Sequence, residues 1–317
     1  MKYYPCELHC HTIHSDGNFT PQSLQEAAVK NELSLIALTD HNTFSGTAEL
    51  RKEIIPFIKG IEWTTYFGHM LVLGTESFVD WRDPVPDNID EKISEVKKAG
   101  GTVGIAHPFQ CGSPICTGGR WEFQVHNWEQ TDYMEIWHEA FHSGNTENER
   151  AEALWSSLLD KGYHLAASYG KDWHRPQNDN TLFGCTYLGM DGDINEKSAL
   201  SAIKNGRTVV STGAAFFFTV KQNGKEYHIG DTVNEGICKF DFQTDFHKRE
   251  AFSAKKHIVY KTIKIITNGR KTVCEITANQ NTAEIQLMKN HWYRAELWGT
   301  IDETEQPLAI TTPIYKK

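Results

Sequence analysis

The sequence predicts an α/β fold, a parallel sheet or β/α barrel that is followed by an antiparallel β-sandwich. Up to about residue 205, short apolar stretches alternate with amphipathic helical stretches, which is the pattern of parallel strands joined by helices. From about residue 208, alternating stretches such as FFFTVKQ and KFDFQTDF follow one another with turn signals between them. Eleven of the 15 histidines precede residue 175, so we expect the chemistry in the first part.

Length, charge and cysteine content limit the class of protein. A chain of 317 residues can form one large barrel with an appendage or two domains. The net charge of -9 and the pI near 5.9 argue against a dedicated nucleic-acid or membrane-surface protein. No stretch has the length of a transmembrane helix, and the first residues lack the layout of a signal peptide. Since the seven cysteines have no repeated spacing and fit reduced thiols, we expect a soluble cytoplasmic protein.

The first part is predicted to alternate strands and helices. A strand around CELHC is followed by a helix that begins at Thr20-Pro21, with a hydroxyl at the N-cap and proline at the first helical position, and ends near Glu32. Further helices, each followed by a glycine suited to a left-handed C-cap, are predicted at about 88–99, 146–161 and 196–205. Apolar stretches predict strands at about 34–39, 57–61, 69–74, 102–106, 133–137 and 164–168.

The second part is predicted to be a β-sandwich of about 100 residues. Its alternating stretches are separated by turns such as Asn223-Gly224 and Asn268-Gly269, which are typical of hairpins. The sequence has no internal repeat and no flexible linker between the two parts. We therefore predict a hydrolase barrel over 1–213 and an accessory β-domain over 214–317 that pack together.

Residues able to bind metal follow the predicted strands, at the point where each strand ends. The exception is His69, which begins its strand and must reach the others from a hairpin-like excursion after Glu62. In a β/α barrel, the loops at the carboxyl ends of the strands build the active site. An HxH pair such as His9 and His11 is weak by itself, but its two side chains share one face of an extended segment, and the set as a whole is hard to dismiss. The candidates are His9, His11, Asp16, Asp40, His41, Glu62, His69, His107, Asp172 and His174.

The motifs HCHTIHSDG, LTDHNT, GIEWTT with GHMLVLG, GIAHP and KDWH, in this order, resemble those of the PHP (polymerase and histidinol phosphatase) superfamily of metal-dependent phosphoesterases. The resemblance covers about residues 6–213, and NHWYRAELWG and AITTPIY look like the β-sandwich tail of its carbaryl-hydrolase-type branch. It implies a distorted (β/α)7 barrel with two or three divalent ions, Zn, Mn or Fe. The implied ligand sets are His9, His11, Glu62 and Asp172 for one ion, Glu62, His69 and His107 for a second, and Asp16, His41 and His174 for a third.

The residues around these ligands give further expectations. Asp40 is expected to hold the imidazole of a metal-bound histidine in one tautomer, and with Glu62, Asp172 and His174 it forms the expected catalytic set. His138 is counted among the expected substrate-binding residues, and three alternatives stay open for its role: a ligand, a proton donor or a surface residue. The cations expected to recognise phosphate are Lys171, Arg175 and Arg120.

Hydrolysis is the expected reaction, because closely spaced ions lower the pKa of a bridging water from about 15.7 toward neutrality. The first hypothesis is a phosphoesterase that acts on a small phosphorylated metabolite or nucleotide through a metal-bridging hydroxide, and nucleic acid is not expected as substrate. The second is a carboxylic-ester or carbamate hydrolase, and the third a non-catalytic metal-containing binding protein. The motifs of nucleotide-dependent transfer, dinucleotide redox chemistry and serine hydrolysis are absent from the sequence.

Overall fold

A long mixed sheet forms the centre of the computed structural model, which describes residues 1–111, 119–139, 146–176, 184–249, 256–289 and 291–316. Its first nine strands are β1 Lys2–Cys10, β2 Leu35–Leu38, β3 Phe57–Thr65, β4 Gly68–Leu73, β5 Thr102–Ile105, β6 Tyr133–His138, β7 Ala166–Gly170, β8 Cys185–Met190 and β9 Thr208–Ser211. They pair in the spatial order β9-β8-β1-β2-β3-β4-β5-β6-β7. β1, β2 and β3 are parallel to one another, as are β5, β6 and β7, while β4 pairs antiparallel with both β3 and β5.

Four α-helices lie among these strands in the described part of the chain: α1 Pro21–Lys30, α2 Ile89–Lys98, α3 Thr146–Asp160 and α4 Glu196–Lys204. All four predicted helices are confirmed to within about two residues. The predicted N-cap is confirmed as well, since the Thr20 hydroxyl accepts a hydrogen bond from the backbone N–H of Ser23 at 3.1 Å. Each helix buries apolar residues, as α2 does with Ile89, Ile93 and Val96.

The predicted strands of the first part are confirmed, with β7 displaced by two residues from its predicted position. β3 and β4 form the hairpin that His69 requires, and His69 pairs with Thr64 across it. β8 has no counterpart among the predicted strands, and it pairs antiparallel with β1 at the side opposite β2.

The sheet is mixed and large, and the described residues differ from an ideal (β/α)7 barrel. They contain four α-helices, fewer than the seven that such a barrel alternates with its strands. Between β7 and β8 the described residues show no strand ladder. Threonine hydroxyls bridge this side instead: Thr186 of β8 accepts from Tyr169 N–H at 2.8 Å, and Thr208 of β9 donates to the Ala167 carbonyl at 2.7 Å. Closure of the barrel therefore stays a prediction.

The rest of the described chain is almost entirely β-structure. Its strands are β10 Ala215–Gln222, β11 Lys225–His228, β12 Thr232–Val233, β13 Gly236–Asp245, β14 Ile258–Thr267, β15 Lys271–Thr277, β16 Thr282–Leu287, β17 Trp292–Ile301, β18 Thr304–Thr311 and β19 Ile314–Lys316. Four of them form a separate antiparallel sheet, β11-β10-β13-β16, and the others extend the long sheet through the pairing of β18 with β9.

The predicted boundary at 213/214 falls between β9 and β10. Apolar residues of the four-stranded sheet, such as Phe218, share one hydrophobic cluster with Ile265 of β14 and Leu297 of β17. The β-sandwich and the two-domain division stay predictions, because β9 and β18 join the two parts in one sheet. No helix in the described ranges is long and apolar enough to cross a membrane.

Candidate metal centre

The candidate ligands converge where the strands of the first part end. His9 lies in β1, and Glu62, His69 and His138 lie in β3, β4 and β6. Asp16 follows β1 by six residues, and the other candidates follow a strand by one to four. His107 and Asp172 have positive φ values of 22° and 52°, a region that side-chain-bearing residues adopt at an energetic cost. Such conformations are common at sites where the surrounding structure directs side chains toward a ligand.

The turn after β1 brings Asp16 back toward the histidines, as the sequence predicted. Gly17 makes this turn possible, because a Cβ at this position would lie 2.5 Å from the carbonyl carbon of His11. The Asp16 Oδ1 atom lies 3.1 Å from His174 Nε2 and 3.5 Å from His41 Nε2.

Four groups of side chains present ligand atoms within 4.8 Å of one another and could hold a metal ion. The structure brings together all nine residues that the sequence analysis named as ligands, in the three combinations implied by the resemblance, and adds His11 to the third. The groups are His9, His11, Glu62 and Asp172; Glu62, His69 and His107; His11, Asp16, His41 and His174; and His107, His138 and Asp172.

Glu62 is the centre of the arrangement. Its Oε2 atom lies 3.1 Å from His9 Nε2, 3.3 Å from His11 Nε2 and 3.0 Å from His41 Nδ1. Its Oε1 atom lies 2.8 Å from His69 Nδ1 and 3.1 Å from His107 Nε2. One fully buried carboxylate is thus shared between two of the groups.

The donor atoms fit divalent metal ions. Five buried atoms at the centre make no hydrogen bond to any described residue: His9 Nε2, His11 Nε2, His69 Nε2, Glu62 Oε2 and Asp172 Oδ1. Buried polar atoms are rarely left without a partner, since each such atom costs about 1–3 kcal/mol. Imidazole nitrogen and carboxylate oxygen are ligands of Zn, Mn and Fe, so ions of this kind would satisfy all five atoms at once.

Electrostatics also favour cations at the centre. Burial by itself would raise the pKa of Glu62, but the surrounding imidazoles, His9 first, hold that pKa well below its usual range. Burial disfavours the charged form of His41 as well, yet Asp16 and Glu62 raise its pKa to about 10. Without metal, the carboxylates therefore favour protonated imidazoles beside them. Bound metal ions would supply the positive charge in place of these protons.

Asp40 does not have the predicted partner. It is buried, and its carboxylate accepts hydrogen bonds from the Thr12 N–H at 2.6 Å, the Thr12 hydroxyl at 2.8 Å and the Ser15 hydroxyl at 2.8 Å. None of these partners is an imidazole. Asp40 instead fixes the turn that carries Asp16, so the expectation that it orients a ligand imidazole is wrong.

Two buried glutamates at the centre were missed by the sequence analysis. Glu135 of β6 accepts from His9 Nδ1 at 2.9 Å and from the His107 N–H at 2.8 Å. Glu7 of β1 accepts from the backbone N–H groups of His9 and Lys171 at 3.0 and 2.9 Å, and burial raises its pKa to about 8. The available signal was a carboxylate inside an apolar strand, in CELHC and in YMEIW.

The four residues predicted to bind substrate differ in their surroundings. His138 is buried, with Nε2 at 3.3 Å from Asp172 Oδ2 and its ring against that of His107, so the surface alternative is wrong. Lys171 is only 8% exposed, and burial lowers its pKa. Arg120 and Arg175 are exposed. Arg120 follows Gly119, whose carbonyl oxygen lies 3.1 Å from His107 Nδ1, and Arg175 follows His174.

Residues 7–102 match the family model of the PHP domain. An uncharacterized protein of Methanocaldococcus jannaschii, MJ1587, is 31% identical over 125 residues, which are 35% of this chain and 69% of that protein.

Two relatives that are named as enzymes align over shorter stretches. The 5'-3' exoribonuclease Rnm of Escherichia coli is 30% identical over 105 residues, 33% of this chain and 30% of the enzyme. The 3',5'-nucleoside bisphosphate phosphatase of Chromobacterium violaceum is 35% identical over 78 residues, 22% of this chain and 27% of the enzyme. The chain thus spans less than a third of either enzyme.

A crystal structure from Bacteroides vulgatus has a similar fold over nearly the whole chain. It is that of a two-domain protein described as containing a predicted PHP-like metal-dependent phosphoesterase. The TM-score is 0.55 with 16% identity, and the match covers 99% of this chain and 95% of that one.

Proposed function

Because the chain belongs to the PHP domain family, we propose that it is a metal-dependent phosphoesterase that hydrolyses a small phosphorylated metabolite or nucleotide. The observation that supports this most strongly is the set of nine imidazole and carboxylate side chains around Glu62, with five buried donor atoms that have no hydrogen-bond partner among the described residues. Such a set is suited to several divalent ions at close spacing.

We propose that two or three ions, Zn, Mn or Fe, bind at the groups that contain Glu62 and at the group formed by His11, Asp16, His41 and His174. When bound, such ions activate water near neutral pH and neutralise charge on phosphoryl oxygens. Glu62 would hold two of them together, and Asp172 would join His9 and His11 on one. His138 lies against His107 and Asp172 and is proposed as a further ligand.

Cations next to the ligands would orient the phosphoryl group. Arg175 follows His174 directly and is exposed, so its guanidinium can reach two oxygens of a bound phosphate. Arg120 is exposed beside the His107 side of the centre. Lys171 precedes Asp172 and is buried, where a positive charge acts over a longer range than in water.

The substrate class is proposed from the charge of the centre and from the relatives. Two of the relatives are named as a phosphatase and an exoribonuclease, and both of these are kinds of phosphoesterase. Each aligns with this chain over only part of its own length. The net charge of -9 argues against nucleic acid, whereas the similarity to the exoribonuclease supports it. Oligonucleotides therefore belong in the substrate panel, together with nucleotides and sugar phosphates.

The test is a turnover screen of wild type and Lys171→Ala in Mn and in Zn. The panel contains para-nitrophenyl phosphate, its diester, nucleotides, a short RNA and para-nitrophenyl acetate. We expect phosphate-ester turnover that requires metal and falls in the variant. Rapid acetate cleavage that is unaffected by Lys171→Ala, without phosphate-ester turnover, would favour the carboxylic-ester or carbamate hydrolase of the carbaryl-hydrolase-type branch. Bound metal without turnover of any substrate would favour the binding protein.

A further inference from the structure

Glu135 is a buried carboxylate at the back of the metal centre that belongs to none of the four ligand groups. It lies in β6 between Met134 and Ile136, and its exposed fraction is 1%. One oxygen, Oε1, lies 2.9 Å from His9 Nδ1. The other, Oε2, accepts the backbone N–H of His107 at 2.8 Å. A single side chain thus contacts two candidate ligands that belong to different groups.

The contact with His9 determines which ring nitrogen is available for metal. Ionised Glu135 is only an acceptor, so His9 Nδ1 must carry the hydrogen and donate it. In the neutral imidazole, the lone pair is then on Nε2. His9 Nε2 lies 3.1 Å from Glu62 Oε2 and 3.3 Å from Asp172 Oδ1, which are carboxylate oxygens of the same ligand group. The geometry of Glu135 therefore directs His9 Nε2 toward the ion.

The contact with His107 fixes a backbone conformation. His107 has a φ of 22°, which is unfavourable for a residue with a side chain. The charged acceptor at its N–H stabilises this conformation and so orients the ring, whose Nε2 lies 3.1 Å from Glu62 Oε1.

Gly170 provides the space that Glu135 occupies. A Cβ on Gly170, the last residue of β7, would lie 1.9 Å from Glu135 Oε1, so any other residue would displace the carboxylate. The φ of Gly170 is not positive, so the requirement is for space and not for backbone freedom.

We propose that Glu135 is a positioning residue for both Glu62-containing groups, and that Gly170 is required because its missing side chain makes room for it. The proposal rests on the metal ligands assigned under the proposed function. Its substitutions alter no ligand atom, so the expected effect is on ion affinity, of the size known for residues that orient metal ligands, about 10–100-fold.

The variants are Glu135→Gln, Glu135→Ala and Gly170→Ala. The glutamine amide has one acceptor oxygen, so it can satisfy either His9 Nδ1–H or His107 N–H but not both. We expect affinity about 10-fold weaker for Glu135→Gln and about 100-fold weaker for Glu135→Ala, with Gly170→Ala between them. Affinity is measured for Mn and Zn by chelator competition, and urea unfolding of the metal-free proteins is measured in parallel. The matched control is Glu152→Gln on α3, a buried carboxylate outside all four groups.

The comparison separates the proposal from its premise. If wild type binds no ion, the ligand assignment fails. If wild type binds ions and all three variants bind them as tightly, only the role of Glu135 is overturned, even if the variants unfold more easily. If Glu152→Gln weakens binding as much as Glu135→Gln does, the effect is a general consequence of lost stability and the proposal is wrong. His69→Ala should weaken one ion, whereas Glu135→Ala should weaken two.

Discussion

Replacing Glu62 with glutamine should remove the ions of two groups and leave the third group able to bind. Five imidazole nitrogens lie 2.8–3.3 Å from the Glu62 carboxylate. Glutamine has nearly the same shape as glutamate, but it lacks the negative charge and presents an N–H group to one side of this cluster. An ion at about 1,000 times its Kd stabilises a protein by about 4 kcal/mol. Because two groups share Glu62, about 8 kcal/mol of metal-linked stability should be lost in the variant.

The measurement is urea unfolding with and without chelator, together with elemental analysis after dialysis against Mn or Zn. The difference between the chelated and the metal-loaded protein cancels any effect of Glu62→Gln on the metal-free fold. Glu152→Gln should keep the wild-type difference, because that carboxylate contacts only Arg270 and Arg294 among charged groups of the described chain. An unchanged number of ions in Glu62→Gln would refute the reasoning, since no ion could then depend on the shared carboxylate.

Three further results are expected. Arg294→Met should cost about 3–5 kcal/mol in urea unfolding, because Glu296 is left buried without its cation and Glu152 keeps only Arg270. Adding Glu152→Gln should restore part of the loss, and a cost below about 1 kcal/mol would contradict this. Residues 1–213 alone should be poorly folded or inactive, and a soluble, fully active fragment would show that the accessory part is dispensable. Metal uptake at pH 7 should release protons, because the pKa of His41 is about 10 in the metal-free centre. The apparent metal affinity should therefore rise between about pH 6 and 9. Calorimetry in buffers of different ionisation enthalpy measures the proton release, and a result of no release would contradict this expectation.

The candidate ligands could be grouped from sequence because strand ends are local signals. His9 and His11 lie at i, i+2 in one extended segment, and Asp40 and His41 lie two and three residues after β2, so the local sequence indicates which way these residues face. The hairpin needed by His69 also follows from a short chain excursion after Glu62. Where parallel strands end at one edge of a sheet, nearness in space follows from topology.

What could not be predicted depends on pairing between distant strands. Glu7 and Glu135 look like ordinary polar positions in the sequence. Their partners lie far away along the chain, since Glu135 contacts His9 over 126 positions and Glu7 contacts Lys171 over 164. The partner predicted for Asp40 was wrong for the same reason. Its position after β2 is a local signal, but the Thr12 and Ser15 donors that it meets come from the turn after β1.

The metal centre also depends on residues that no ligand motif contains. All four groups lie before residue 175 in the described chain. The Asn148 side chain at the start of α3 accepts the backbone N–H of His138 at 2.9 Å. Farther along the same helix, Arg294 of β17 donates to Glu152 at 2.6 Å and to Ser156 at 2.9 Å.

α3 is a continuous helix that contacts His138 at its first turn and the C-terminal strand β17 at its middle, so a shift of β17 would be passed through α3 to the end of β6. The accessory part can thus influence ion binding at His138 without contributing a ligand. Arg294→Met, which removes the contacts to Glu152 and Ser156, should therefore weaken ion binding at the group of His107, His138 and Asp172. Glu152→Gln should not, because its amide oxygen can still accept from Arg294 and keeps α3 in place.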